Sequence, residues 1–343
     1  MKYGTYIPNR LDEGYGLNEE AIREIASEGY NLMITVDCGI TAVKEVELAK
    51  SLGIDVIITD HHEVPEELPK ATAIVDAKRK DNEYPFNQLA GCGVAFKLTQ
   101  ALSIKLNLNE NEWLKYIDIA CIGTISDIVP LIDENRVIAK LGLMLVEVTK
   151  NVGLKTLISM VGAKKIDSSF ISFGISPRIN ACGRMGHQED ALELFLTNDP
   201  IEARNLAIKL EEYNRQRQDI EKKIYNEALE LISKEKDEPC IVLGKDGWHH
   251  GVIGIVSSKI TEITYKPSIL ICFEGENSKG SGRSIPGFDI HDAVYNCREF
   301  LTACGGHSMA IGLSLKTANF EAFRNAIEDY AKTKNIENLE PEL

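Results

Sequence analysis

Three short stretches of this 343-residue chain carry side chains able to hold a divalent cation: Asp37, the run Asp60-His61-His62, and Asp127. Carboxylates together with a neutral imidazole are a ligand set for Mn²⁺ or Mg²⁺. Two such ions roughly 3.5–4 Å apart would clamp the attacking and leaving oxygens of a phosphoryl displacement. Adjacent histidines on extended backbone point to opposite sides, so one of His61 and His62 is expected on a given ion while its neighbour turns elsewhere. A single aspartate after a strand needs no ligand to explain it. The force of the pattern lies in two strand-ending acids combined with a histidine pair.

Two further groups suit anions. In Ser176-Pro177-Arg178-Ile179-Asn180-Ala181-Cys182-Gly183-Arg184, two arginines lie six apart in what reads as a Gly-containing loop, and each guanidinium could fork onto a phosphate. A tight loop between domains would account for the same residues. Nearer the C-terminus stand Trp248-His249-His250-Gly251, Gly280-Ser281-Gly282-Arg283-Ser284 and Gly305-Gly306-His307. Glycines let backbone amides approach an anion, the Gly251 segment opens a helix, and Trp248 offers a face for base stacking. Each of these glycines also has a plain explanation as a turn, and a lone Trp is commonly core.

The elements that must position these side chains follow from the apolar pattern. Asn31–Val36 reads as a buried strand ending at Asp37, and a helix capped by Thr41 follows as far as Gly53. Ile54–Thr59 is a second strand, ending at Asp60, and Ala71–Val75 a third, ending at Asp76. Strand, helix, strand at this spacing predicts βαβ units and a parallel sheet, whose carboxyl ends converge on one crevice. Leu89 to about Val148 is helical, with Asp127 in a short polar gap expected on the same sheet edge. Asp199 as N-cap and Pro200 at the first position start a charged helix running to about Lys234, which reads as a solvated connector. Asp237-Glu238-Pro239 then marks a boundary. Beyond it the pattern is strand 240–243, helix 251–264, strand 268–273, a strand or turn over 278–284, helix 290–301, a Gly305-Gly306 turn, strand 310–315 and helix 320–332. The predicted fold is α/β, with a parallel-sheet domain over 1–189, a connector helix over 190–236 and a smaller α/β domain over 237–343.

Composition bounds the rest. A hydrophobic content of 44%, with 26 glycines and 11 prolines, fits a globular protein with buried cores and excludes fibrous or collagen-like chains. The formal charge of −14 argues against affinity from a blanket of Lys and Arg, so any nucleic-acid contact must be local. The apolar runs are strand-sized, so no membrane span is expected. The eight cysteines form no C-x-x-C pair, and the first residues contain no apolar leader, which favours a cytoplasmic location.

Val36-Asp37-Cys38-Gly39, Thr59-Asp60-His61-His62, Gly123-Thr124-Ile125-Ser126-Asp127, Pro177-Arg178-Ile179-Asn180-Ala181 with Gly183-Arg184, Trp248-His249-His250-Gly251-Val252-Ile253-Gly254 and Gly305-Gly306-His307 resemble, in this order, the motifs of the DHH/DHHA1 phosphoesterase family. The resemblance covers nearly the whole chain and is nearest to the family's single-strand-specific 5′→3′ DNA exonucleases. It implies that Asp37, His61 and Asp127 are metal ligands, that Asp60 is a ligand or supports one, and that His62 faces the scissile phosphate. Arg178, Asn180, Arg184, His249, Ser281, Arg283, Gly305, Gly306 and His307 become candidates for holding the nucleotide and its 5′ phosphate. Implied cofactors are Mn²⁺ or Mg²⁺, two ions in the full-length enzyme; the implied chemistry is attack by a metal-activated hydroxide on phosphorus, with the second domain closing over the strand. Implied partners are single-stranded DNA with a 5′ end, and a helicase or single-strand-binding protein, in DNA repair and recombination. Such enzymes also carry Asp-x-Asp-x-Asp-Gly upstream of the stretch resembling Tyr6-Ile7-Pro8-Asn9-Arg10, and an oligonucleotide-binding domain after the second domain. No Asp-x-Asp occurs in this sequence, so it reads as a core shortened at both ends. Two other readings are a phosphoesterase acting on short oligonucleotides or nucleoside phosphates, and a non-catalytic scaffold that keeps the fold.

Overall fold

The computed structural model describes residues 3–234 and 238–334, and the chain divides into two compact units at Asn214/Arg215.

In the first unit, helix α1 (Glu19–Ser27) is capped by Asn18, whose side chain accepts the Ala21 N–H. Strand β1 (Leu32–Val36), helix α2 (Val43–Ser51), β2 (Asp55–Thr59) and β3 (Ala73–Val75) then build a sheet of order β1-β2-β3, parallel throughout. Its β-branched runs suit a pleated, half-buried surface. Ile22, Val46, Ala49, Ile54, Val56 and Ile58 form its core. The cap expected at Thr41 is absent: α2 begins one residue later, after Ala42, with no side-chain cap. β1 is an edge strand, and Leu32, Ile34 and Val36 along one side of it are about half-exposed.

A helical layer follows: α3 (Gly91–Lys105), α4 (Asn111–Leu114), α5 (Ile117–Ser126), α6 (Asp133–Glu147), α7 (Val152–Val161), the short α8 (Ser168–Phe170), a π-helical turn at Ile171–Ile175, α9 (Ser176–Arg184), α10 (Gln188–Leu196) and the start of α11 (Pro200–Ile232). Their apolar stripes meet in a core that includes Phe96, Cys121, Ile138, Leu157, Ile175 and Leu194. The segment read as an arginine-bearing loop is helix α9. Pro177 sits in its first turn, where a missing N–H costs no helical bond, so proline here starts a helix instead of breaking one.

Asp199 accepts the Ile201 N–H at the start of α11, as expected. The division between the units falls within this helix, but the helix is not solvated all round. Ala203, Leu206, Ala207 and Leu210, spaced as one helical face, are buried in the first unit's core, while Ile224 and Ala228 are buried in the second's. The charged majority of the sequence hides this narrow stripe.

The second unit contains β4 (Ile241–Asp246), α12 (His250–Thr264), β5 (Ser268–Glu274), β6 (Asn277–Arg283), α13 (Ile290–Asn296), β7 (Leu301–His307), β8 (Ala310–Lys316) and α14 (Phe320–Thr333). The sheet order is β4-β5-β6-β8-β7, with β4 and β5 parallel and the other pairs antiparallel. The helix expected over 290–301 stops at Asn296, and Gly305 and Gly306 lie within β7 instead of a turn. Ile269, Ile271, Leu315, Phe323 and Ile327 fill one side of this sheet; Leu243, Leu270, Val252, Val256 and Ile260 fill the other. All eight cysteines are free thiols. Among the described residues no helix is long and apolar enough to cross a membrane.

Candidate metal centre

The carboxyl ends of β1 and β2 place the first ligands. Past Val36 the ladder continues for one bond, from the Asp37 N–H to the Thr59 carbonyl at 3.0 Å, and Asp37 then turns away with φ +65°. A left-handed backbone costs a non-glycine residue on the order of 1–2 kcal/mol, and such outliers concentrate at functional sites. Two hydroxyls brace the turn: Thr35 donates to the Cys38 carbonyl at 2.7 Å and Thr59 to the Thr35 carbonyl at 2.6 Å. Gly91, the first residue of α3, lies against Asp37 so closely that a Cβ there would stand 2.5 Å from the Asp37 Cβ and Cγ.

His61 Nε2 lies 2.9 Å from Asp37 Oδ1 and 3.6 Å from Asp127 Oδ2. The Asp37 hydrogen bond outweighs burial and raises the His61 pKa. Burial likewise raises the carboxyl of Asp127 despite the neighbouring imidazole. Ligand-capable atoms of Asp37, His61 and His62 all lie within 4.8 Å of one another. The two imidazoles do not splay to opposite sides. Because β2 ends at Thr59, strand alternation does not govern them, and their ring centroids are 4.7 Å apart.

Asp60 is 1% exposed and accepts four hydrogen bonds: the Ile40 N–H on Oδ2, and on Oδ1 the backbone N–H groups of His61 and His62 together with His62 Nδ1 at 2.6 Å. Burial alone would raise its carboxyl, but the His62 bond and the two strongest amide donors hold it below the usual range. With both oxygens engaged, Asp60 orients His62 and the turn instead of offering a free ligand atom.

Asp127 reaches the cluster by another route than the one expected. It is the C-cap of α5, with its N–H on the Gly123 carbonyl, and not a residue of the sheet edge. The next residue, Ile128, has φ +61° and is 88% exposed. Asp76, at the end of β3, is 3% exposed; its Oδ1 accepts the Lys78 N–H at 2.8 Å, and its Oδ2 has no partner. The strand-ending signal that singled out Asp37 and Asp60 applies equally to Asp76. Beside the cluster opens a cleft of about 580 Å³, reaching His61 and Asp127.

The residues assigned to anions fare differently. Arg178 pairs through Nε with Glu211 and donates through Nη1 to the Gly174 carbonyl at 2.6 Å, so its guanidinium braces α9. Asn180 on the same helix is exposed and Arg184 half-buried. In the second unit, a Cβ at Gly254 of α12 would lie 2.9 Å from Ser281 Oγ and 3.4 Å from an Arg283 Nη, so the missing side chain lets the helix seat on these two residues. Arg283 Nη1 donates to the Gly282 carbonyl at 2.8 Å and to Ser281 Oγ at 3.2 Å. His249 caps α12 by accepting the Gly251 N–H, and burial lowers its pKa. Gly305, Gly306 and His307 are exposed on β7; at Gly306 a side chain would collide with the Ala310 carbonyl. Trp248 offers no stacking face: it is 4% exposed in the core beneath α12, and its Nε1 donates to Glu227 at 2.8 Å.

Comparison with known proteins agrees with this architecture. Residues 1–124 match the DHH family, N-terminal domain, and residues 237–333 match the DHHA1 domain. The chain is 44% identical over 331 residues to the single-stranded-DNA-specific exonuclease RecJ of Bacillus subtilis, covering 95% of this chain and 41% of that protein. It therefore spans about two fifths of that relative's length. A crystal structure of exonuclease RecJ bound to manganese superposes with a TM-score of 0.85 at 35% identity, over 97% of this chain and 84% of that one. RecJ from Thermus thermophilus in complex with Mn²⁺ superposes with a TM-score of 0.84 at 35% identity, over 92% of this chain and 47% of the other. With both domains matched in order, and with a solved RecJ chain covered over most of its length, the chain belongs to the DHH/DHHA1 family, in its RecJ branch.

Proposed function

We propose that this chain is the core of a metal-dependent exonuclease that hydrolyses phosphodiester bonds of single-stranded DNA from the 5′ end, releasing 5′ mononucleotides. The observation that supports the reading is that His61, past the end of β2, lies 2.9 Å from Asp37 past the end of β1 and 3.6 Å from Asp127 at the end of α5, while His62 joins Asp37 and His61 in one group of ligand-capable atoms. These oxygens and imidazole nitrogens are hard to borderline donors that suit Mn²⁺ or Mg²⁺. The bound cation supplies charge that offsets the anionic phosphate and lowers the pKa of the attacking water. His61 and the two carboxylates hold the ion, and Asp60 keeps His62 in place to meet a non-bridging phosphate oxygen. In the second unit, Ser281, Arg283, His249 and the Gly305-Gly306-His307 strand end form the strand-holding surface, with Asn180 and Arg184 serving the first unit on the helix that Arg178 braces. The eight free thiols suit a reducing cytoplasm, where DNA repair and recombination, with a helicase or single-strand-binding protein, would supply the strand.

The test compares a 5′-phosphorylated 30-nucleotide single strand with a dinucleotide, each with Mn²⁺, for the wild type and Asp127→Asn. Processive loss of the long strand by the wild type, abolished in the variant, supports the reading. Hydrolysis of the dinucleotide alone would move it to short substrates. A chain that cleaves neither, and whose melting temperature ignores millimolar Mn²⁺, would be a scaffold.

A further inference from the structure

The cleft beside the cluster has a feature that the metal ligands do not explain. Lys78 is the sole lysine or arginine among its lining residues, and Asn87 and Gln88 line it with Lys78. The two walls are fastened together: Asn135, fully buried, donates from its single amide nitrogen to the Gln88 carbonyl at 2.6 Å and to the Pro130 carbonyl at 3.0 Å. At its base Lys78 is fixed by its own N–H on Asp76. Its ammonium pairs with Glu63 at 2.8 Å, the lysine side chain 29% exposed and the glutamate 89% exposed. An ion pair with one partner in open solvent contributes little, so the lysine exchanges that partner at small cost.

We propose that Lys78 is a phosphate-binding residue of this cleft, trading Glu63 for a backbone phosphate of the strand whose scissile bond lies at Asp37, His61 and Asp127. A phosphodiester carries a full charge that Asn87 and Gln88 amides can also meet, whereas Glu63 in water offers the lysine a screened contact. Glu63 is then a competitor that slows capture of weakly bound anions. The proposal rests on the nuclease reading and adds to it a strand path within the first unit.

The experiment measures binding of a 5′-phosphorylated oligo(dT) by fluorescence anisotropy with Ca²⁺ in place of Mn²⁺, alongside Mn²⁺-dependent hydrolysis, for wild type, Lys78→Gln, Glu63→Gln and the double variant. Lys78→Gln is expected to weaken binding about tenfold, to raise KM by a similar factor and to reduce the salt slope by about one. Glu63→Gln is expected to change binding in the opposite direction, tightening it two- to fivefold, and the double variant to match Lys78→Gln. A merely structural pair would move both single variants the same way, and that result, or no change in either, overturns the proposal. If Lys78→Gln does not fold, Glu63→Gln decides alone: no tightening overturns it. Hydrolysis retained in all variants with unchanged binding removes the subsite and leaves the nuclease intact; a wild type that neither binds nor cleaves the strand removes both.

Discussion

Gly91→Ala makes a sharp test of how the centre is assembled. On backbone grounds the change should help, since glycine to alanine at a position of ordinary φ stabilises by roughly 0.4–1 kcal/mol through the unfolded chain. In this fold the new methyl would stand 2.5 Å from the Asp37 Cβ, against the ~3.5–4.0 Å of an ordinary carbon contact, so about 1 Å must be found. Rotating the Asp37 side chain cannot supply it, because the Cβ is fixed to a backbone already held at φ +65°. Helix α3 or the end of β1 has to shift, at the roughly 1–3 kcal/mol typical of overpacking. The net loss of stability is therefore modest, about 0–2.5 kcal/mol, whereas the displacement falls directly on a ligand. Metal affinity should drop by about 10–100-fold, the usual effect of disturbing a group that orients a ligand. Calorimetric titration with Mn²⁺, beside a thermal melt of the ion-free chain, separates the two quantities. A variant that melts higher than wild type and binds Mn²⁺ equally well would refute the claim that α3 sets the position of Asp37.

Two further outcomes follow from groups remote from the metal. Burial alone would raise the Asp190 carboxyl, but hydrogen bonds from Lys209 and Tyr213 hold it below its ordinary value. Its contribution to stability is then present above about pH 4 and is lost as pH falls through the depressed native value, so the melting temperatures of wild type and Asp190→Asn should differ at neutral pH and converge in acid. Trp248→Phe should cost about 1 kcal/mol through the lost bond to Glu227 and leave single-strand affinity unchanged, as measured by denaturant unfolding and anisotropy; a large loss of affinity would restore Trp248 as a binding platform.

Much of the site was legible because chemistry and periodicity coincided: apolar runs ending in Asp37 and Asp60 placed both acids at adjacent carboxyl ends of a parallel sheet. Asp127 was found by type but misplaced, since a helix C-cap and a loop look alike in one dimension. Ser176–Arg184 read as a loop because proline and glycine break helices in general, yet proline in a first turn does not. The buried face of α11 was masked by charge, whereas Trp248 took the core place that a lone aromatic commonly has. Gly91 and Asn135 carry no local signal at all; their parts come from contacts 54 residues away in Asp37 and 47 away in Gln88.

The outer edge of β1 has a practical consequence. Beyond Leu32–Val36 a row of main-chain donors and acceptors runs beside half-exposed Leu32, Ile34 and Val36, which is the template another extended segment needs for pairing. A lysine or proline introduced along that rim would interrupt the row and keep a further strand from adding there.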